Sequence, residues 1–473
     1  MTIKFGTDGW RGIIAEDFTF DNVRICAQAV ASYLQKRGLA ERGLVLGYDT
    51  RFSSEDFAAA VAEVSAANGV KTFLSTKAVP TPVLAYNVVA RGVAGGVVIT
   101  ASHNPARWNG FKFKSEYGGS ASPEVVAALE EIIAHIQGHG GVKRLSLEEA
   151  SKSSMVQKVE TEFLYKEHLH RLVDMESLGK AGLKVVVDSM YGAGAGYLRE
   201  FLSGSSAQVT ELNGERNPFF PGISQPEPVM HNLQGLSSAV VSKKADVGLA
   251  LDCDADRLGV IDEKGRFITP LQVFALLALY LLEVRGQRGA MVKSVTSTSM
   301  LYGLGKLYNV PVLETPVGFK YIGPIMIRDN ALIGGEESGG FGFRGHIPER
   351  DGILSGLYFL DLMVRTGKSP SELLDYLFSK VGAHHYQRVD ISFAPGQRQK
   401  VEERLRSVKP KMMGDVRVAS QDTTDGLRFI QEDRSWVLVR FSGTEPLLRA
   451  YAEAQSMEQV QRLLEDIRSL AGV

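Results

Sequence analysis

The sequence is poor in cysteine and short of long apolar runs. Only Cys26 and Cys253 occur among 473 residues. Two thiols build no disulfide framework, and so few suit a reducing compartment. The longest apolar run, residues 271–282, falls short of the ~20 residues that span a bilayer, so a buried helix is expected and no membrane partner. Residues 1–10 hold neither an apolar stretch nor a small-residue cleavage site, so no signal peptide is read and a cytoplasmic location is expected. Charge of one sign is missing as well. Lys plus Arg number 53 against 54 Asp plus Glu, a formal net charge of -1. That excludes a basic excess for nucleic acid, yet it leaves room for a local basic pocket that takes a small anion. Nothing in the chain fixes its oligomeric state.

What the chain does have is rhythm. Residues 43–49 (Gly-Leu-Val-Leu-Gly-Tyr-Asp) read as a strand, a helix is expected over about 55–68, and strands follow at 70–75 and 95–99. The pattern restarts at 182–188 (Gly-Leu-Lys-Val-Val-Val-Asp) and, more weakly, at 289–295. Three related α/β units with mixed, mainly parallel sheets are expected, around one cleft. A polar stretch at 138–154 suits a boundary, and the last ~90 residues read as a smaller C-terminal α+β domain. The expected domains are 1–150, 155–263, 264–380 and 384–473.

Each unit has a strand that ends in a chemically loaded loop. In open α/β sheets ligands bind beyond the carboxyl ends of strands. Asp252, Asp254 and Asp256 place three carboxylates in five residues, which repel one another unless a cation sits among them. Alternate hard oxygen ligands suit Mg²⁺ or Ca²⁺. An EF-hand is the rival, with Glu263 at its twelfth position, but Arg257 stands where that loop needs Gly. Ser102 followed by His103 reads as a nucleophile beside a base, or as a helix N-cap. A phosphorylated Ser102 would carry nearly two negative charges, and a dication beside it would neutralise them. Lys112 adds a positive charge there, unless it is a solvent-facing strand lysine. Arg440, Ser442, Gly443 and Thr444, with Arg449 after them, read as a phosphate cradle or a surface turn. Glu336 and Ser338, among four glycines, could hydrogen-bond sugar hydroxyls.

Other motifs fail. Lys368-Ser369 ends like a phosphate-binding P-loop, but Leu362 replaces its first Gly, and Ser369-Pro370-Ser371-Glu372 reads better as a helix start. Tyr197 replaces the third Gly of a dinucleotide fingerprint at 192–197. His384 and His385 point to opposite faces of an extended segment and make poor joint ligands.

Five segments in this order resemble the α-D-phosphohexomutase superfamily, the phosphoglucomutase and phosphomannomutase enzymes. They are residues 6–12 (Gly-Thr-Asp-Gly-Trp-Arg-Gly), 100–105, 252–257, 335–338 and 440–446. The resemblance implies four domains around one cleft and an isomerase that carries its phosphoryl group on Ser102. It implies Mg²⁺ on Asp252, Asp254 and Asp256 with a phosphate oxygen of Ser102, and a hexose 1,6-bisphosphate such as glucose 1,6-bisphosphate as activator. Arg11, His103, Lys112 and Arg257 match positions round the transferred group. Glu336 and Ser338 match sugar contacts, and Arg440, Ser442, Gly443, Thr444 and Arg449 match the grip on the other phosphate. Lys293 and Lys320 match lysines near the substrate, and Lys320 could serve as acid or base.

The implied substrate is a hexose phosphate. Phosphoglucosamine mutases resemble the chain too, but their sugar loop reads Gly-Glu-Gln-Ser-Gly-His and an Asp-Arg pair follows their Val-Gly. Here Glu337 and Gly340 occupy the loop, and Phe319-Lys320 follows Val317-Gly318. Phosphomannomutase-type loops carry a His where Gly340 stands. Glucose is therefore favoured, with mannose possible. A Mg²⁺-dependent sugar phosphatase and a silent sugar-phosphate sensor are the readings from other classes.

Overall fold

The computed structural model describes residues 3–6, 8–394, 396–441 and 447–472. Three sheets share one plan. In the first, the central strand Leu44–Tyr48 pairs in parallel with Thr72–Ser75 on one side and Gly95–Ile99 on the other. Gly95–Ile99 then pairs antiparallel with Trp108–Ser115. The second repeats this with Lys184–Asp188 between Gln208–Leu212 and Val247–Leu251, and Leu258–Ile261 antiparallel beyond. The third does so with Met291–Ser294 between Val312–Thr315 and Ile333–Gly335, and Phe341–Phe343 beyond. Shared strand order across three sheets is the physical content of the sequence rhythm. The fourth sheet is antiparallel throughout, six strands from His385–Ser392 to Met412–Met413, with helices Arg398–Ser407 and Met457–Ala471.

Local signals start the helices where the residues demand it. Ser122, Thr269, Ser369 and Ser456 each accept a hydrogen bond from a backbone N–H in the first turn, which satisfies a donor the helix itself leaves free. Gln272 and Glu372 close capping boxes with Thr269 and Ser369. The apolar run forms helix Pro270–Leu279 and a π turn over Tyr280–Val284, with every residue from Val273 to Leu282 buried. It is too short to span a bilayer. Among the described residues no helix is long and apolar enough to cross a membrane.

The polar stretch at 138–154 contains the end of helix Pro123–His139 and helix Leu147–Lys152. The chain then returns to the first sheet, where Val156–Val159 pairs with Thr72–Ser75. One apolar core runs through the first three units, joining Val83, Leu84, Leu198, Leu249, Phe274 and Leu357. Burial on this scale makes the three sheets one body, because each fully buried Leu or Phe contributes about 1.5–3 kcal/mol.

Candidate active site

In each of the first three sheets, the turn from the third parallel strand into its antiparallel neighbour carries one of the loaded loops. These turns lie after Gly95–Ile99, Val247–Leu251 and Ile333–Gly335. The shared topology therefore delivers Ser102, the three aspartates and Glu336 from equivalent places.

Ser102 is no helix cap. No helix follows it, and strand Trp108–Ser115 comes next. Its φ is +51°, a left-handed conformation that a residue with a Cβ rarely adopts. Ser102 N–H donates to Thr100 Oγ1 at 2.9 Å, and Ser102 Oγ donates to Asp252 Oδ2 at 3.0 Å. His103 Nδ1 lies 3.4 Å from Ser102 Oγ. Burial, with Arg257, Arg11 and Lys112 nearby, holds the His103 pKa well below its usual range, so the imidazole is neutral at pH 7.

Asp252, Asp254 and Asp256 are fully buried, and one carboxylate oxygen of each lies within 4.8 Å of the others. Burial and the neighbouring Asp254 and Asp256 push the Asp252 pKa far up. Burial also raises Asp254, but Lys112 outweighs it and holds the group low. Asp254 Oδ1 and Asp256 Oδ1 accept no hydrogen bond among the described residues. Buried, clustered acceptors without donors fit a hard divalent cation. The loop is a β-hairpin between Val247–Leu251 and Leu258–Ile261, which removes the EF-hand alternative. Glu263 hydrogen-bonds Ser371 instead. The glycine-rich segment at 192–196 packs against this loop. Ala193 N–H donates to Cys253 O at 2.7 Å, and a Cβ on Gly192 would meet the Cys253 backbone at 2.6 Å.

Lys112 is 1% exposed, so the solvent-facing alternative is wrong. Its ammonium lies 2.8 Å from Asp8 Oδ2, 2.8 Å from Asp254 Oδ2 and 3.7 Å from Asp256 Oδ2. Arg11 Nη1 donates to Asn104 Oδ1 at 2.6 Å, which places it on the Ser102 loop. Arg257 pairs with Glu227, and its Nε lies 3.8 Å from Asp256 Oδ1. Sequence reasoning missed Arg350. It is buried and lies 2.6 Å from Asp8, 2.8 Å from Asp256 and 3.4 Å from Glu336 Oε2, so it joins the aspartate loop to the Glu336 loop. It also missed Asp8 as an anchor for Lys112, Lys114 and Arg350. The signal was a run of three charges, Glu349-Arg350-Asp351, after a short strand.

The remaining candidates are more dispersed. Ser338 is partly buried beside Glu336. Glu337 faces the last domain, where Tyr386 donates to it at 2.8 Å. Lys320 is the second residue of helix Phe319–Arg328 and donates to Gly6 O at 3.3 Å. Lys293 is buried and already engaged, 3.0 Å from Glu314 and 2.9 Å from Ser297 O. Arg440 and Arg449 sit directly opposite on adjacent antiparallel strands. Arg440 pairs with Asp425 at 3.0 Å, while the buried Nε of Arg449 has no partner among the described residues. Ser442, Gly443 and Thr444 lie outside the described residues. His384 and His385 do part company, with His384 3.6 Å from Glu453.

Four family models match the chain in order. They describe phosphoglucomutase/phosphomannomutase domain I at residues 2–139, domain II at 164–265, domain III at 269–381 and the C-terminal domain at 398–470. The chain belongs to the phosphoglucomutase/phosphomannomutase family. A phosphoglucomutase/phosphomannomutase of Thermococcus kodakarensis is 32% identical over 461 residues, 98% of this chain and 96% of that one. A phosphoglucosamine/phosphogalactosamine mutase of Sulfurisphaera tokodaii is 30% identical, covering 98% of each. A crystal structure from Thermus thermophilus, provisionally named a phosphomannomutase, superposes with a TM-score of 0.87 at 35% identity over 100% of both chains. This member of the family is accordingly an isomerase that moves phosphoryl groups on hexose phosphates, and its aspartate triad can hold the metal on which the family depends.

Proposed function

We propose that the protein interconverts hexose 1-phosphate and hexose 6-phosphate, glucose first and mannose second, through phospho-Ser102 and a hexose 1,6-bisphosphate. One observation carries the reading. Ser102 Oγ donates to Asp252 of the three-aspartate cluster at 3.0 Å, and Arg257, Arg11 and Lys112 all lie close enough to act on the His103 imidazole beside it. Phosphoryl transfer asks mainly for positioning and charge neutralisation, and this arrangement offers both.

In the first half-reaction a sugar hydroxyl attacks the phosphorus on Ser102. As the hydroxyl oxygen bonds phosphorus it gives up its proton, the bond from phosphorus to Oγ breaks, and Oγ takes up one proton, so the transfer is proton-neutral overall. Lys112, Arg11 and Arg257 meet the charge on the moving group, and His103, which burial and these cations keep neutral, lies 3.4 Å from Oγ through Nδ1 and orients it without becoming charged. Mg²⁺ held by Asp252, Asp254 and Asp256 would supply neutralisation of the phosphoserine and polarise its phosphorus. In the second half-reaction the bisphosphate, turned round in the cleft, returns its other phosphate to Ser102. Arg440 and Arg449 grip the phosphate that does not move, Glu336 and Ser338 take sugar hydroxyls, and Lys320 positions phosphate or moves a proton. Glucose 1,6-bisphosphate primes the dephosphorylated enzyme.

Gly340 supports glucose over the phosphomannomutase-type and phosphoglucosamine-type loops. A Cβ there would overlap Arg350, so the His of those loops has no room while Arg350 holds Glu336. Glu337 supports the choice less, since it faces Tyr386. A coupled assay with Mg²⁺ and a trace of glucose 1,6-bisphosphate tests the reading. Glucose 1-phosphate, mannose 1-phosphate and glucosamine 1-phosphate are offered separately, with 6-phosphate product and free phosphate both followed. Fast product without phosphate release, glucose leading, is expected. Glucosamine leading would overturn the sugar assignment, and phosphate release alone would point to a phosphatase.

A further inference from the structure

Arg51 is the largest of the fully buried side chains, three residues beyond strand Leu44–Tyr48. A guanidinium has five N–H donors, and all five of these are used. Nε donates to Asp49 Oδ2 at 3.1 Å. Nη1 donates to Pro105 O at 2.9 Å and Trp108 O at 3.1 Å. Nη2 donates to Ser102 O at 2.5 Å and Asn104 O at 2.6 Å. Three carbonyls of the Ser102 loop, and that of Trp108 where the next strand opens, thus converge on one planar cation. Arg51 makes no hydrogen bond to Ser102 Oγ or to the three aspartates.

The clamp is itself held. Asp49 also accepts from Arg51 N–H at 2.9 Å, Ser54 Oγ at 2.9 Å and the Cys253 thiol at 3.5 Å, so it ties the loop of the first unit to the metal loop of the second. The Phe220 ring covers the guanidinium at 5.1 Å, and Arg216 donates to Thr50 O at 3.2 Å. Loop 101–107 has no regular hydrogen-bond ladder, and Ser102 holds a strained φ of +51°. Such a conformation is strained and persists only where its surroundings over-determine it.

We propose that Arg51 is the positioning residue that holds Ser102 in its reactive geometry by clamping the carbonyls of its loop. The inference rests on the mutase reading and adds a residue to it. A Lys keeps the charge but presents three donors from one point, which do not span four carbonyls.

The test compares wild type with Arg51→Lys and Arg51→Ala. Wild-type turnover judges the mutase reading, and two readouts on the variants judge the clamp. The first is amide hydrogen exchange of the peptide spanning residues 100–109 at matched folded fraction, which needs no turnover. The clamp requires faster exchange there in Arg51→Lys, with strand Leu44–Tyr48 unchanged. The second is kinetic. Misplacement of a reacting group by ~1 Å costs on the order of 100-fold, so kcat should fall by about that factor while KM stays within about twofold. Free phosphate released per turnover should rise, and added guanidinium ion should restore part of kcat in Arg51→Ala. Unchanged loop exchange in Arg51→Lys overturns the clamp, as does a kcat loss that matches the loss of folded protein.

Discussion

Glu453 offers a quantitative test of how the last domain is held against the third unit. It lies on strand Leu447–Ala454 and is 1% exposed. Oε1 accepts from Thr298 Oγ1 at 2.5 Å. Oε2 accepts from Ser299 N–H at 2.7 Å, Ser299 Oγ at 2.6 Å and Trp436 Nε1 at 2.8 Å. Thr298 and Ser299 belong to the third unit, so this carboxylate joins two domains. Burial opposes its charge, but His384, Ser299 and Thr298 outweigh burial and hold its pKa at about 2. Against an ordinary Glu at ~4.3, the gap of roughly two units corresponds to about 3 kcal/mol. The folded value is depressed. The stabilisation is therefore present above the unfolded pKa of ~4.3 and is lost as pH falls through about 2. Glu453→Gln puts an NH₂ where donors converge and should forfeit about 3 kcal/mol at pH 7. Urea denaturation followed by tryptophan fluorescence reads this, because the Trp436 indole reports the contact. The difference between wild type and variant should shrink towards zero near pH 2. A difference below about 1 kcal/mol at pH 7, or one independent of pH, would refute the reasoning.

Three further outcomes are expected. Lys112→Met leaves Asp8, Asp254 and Asp256 buried without their shared cation and should cost about 3–5 kcal/mol at pH 7. Lys112 holds Asp8 and Asp254 low against burial. Without it their folded pKa values rise, so the deficit should close as pH falls below ~4, as chemical denaturation across pH will show. Gly340→His forces a side chain into Arg350 and should destabilise by about 1–3 kcal/mol while lowering kcat/KM for glucose 1-phosphate, read by thermal melts and the coupled assay. Arg440→Ala should raise KM for hexose phosphate by on the order of 10–100-fold with a smaller change in kcat, since a charge-assisted phosphate contact is worth about 1.5–3 kcal/mol.

The repeated strand-and-loop rhythm was legible because its causes are local. Gly-Leu-Val-Leu-Gly-Tyr-Asp and Gly-Leu-Lys-Val-Val-Val-Asp do form equivalent central strands, and the loops after the third strands do carry Ser102, the aspartates and Glu336. Ser369-Pro370 starts its helix for the capping reason its residues suggest. The rest was hidden because it depends on partners far away in the chain. Lys112 looks like any strand lysine until Asp8 and Asp254 surround it. Arg51 carries no motif and Arg350 only a short charged run, and their meaning lies in contacts with residues 102–108 and with Asp8, Asp256 and Glu336. The order of the strands, which puts Val156–Val159 back into the first sheet beyond a polar stretch, is likewise a long-range outcome.

The most direct test of the central claim follows the phosphoryl group itself. Protein carrying radiolabelled phosphate from glucose 1,6-bisphosphate is digested, the labelled peptide is sequenced, and a second sample is chased with unlabelled glucose 1-phosphate and Mg²⁺. The account predicts label on Ser102, none in Ser102→Ala, and a chase that moves the label into hexose phosphates with little free phosphate. Label on another residue, or label that leaves only as free phosphate, would contradict it.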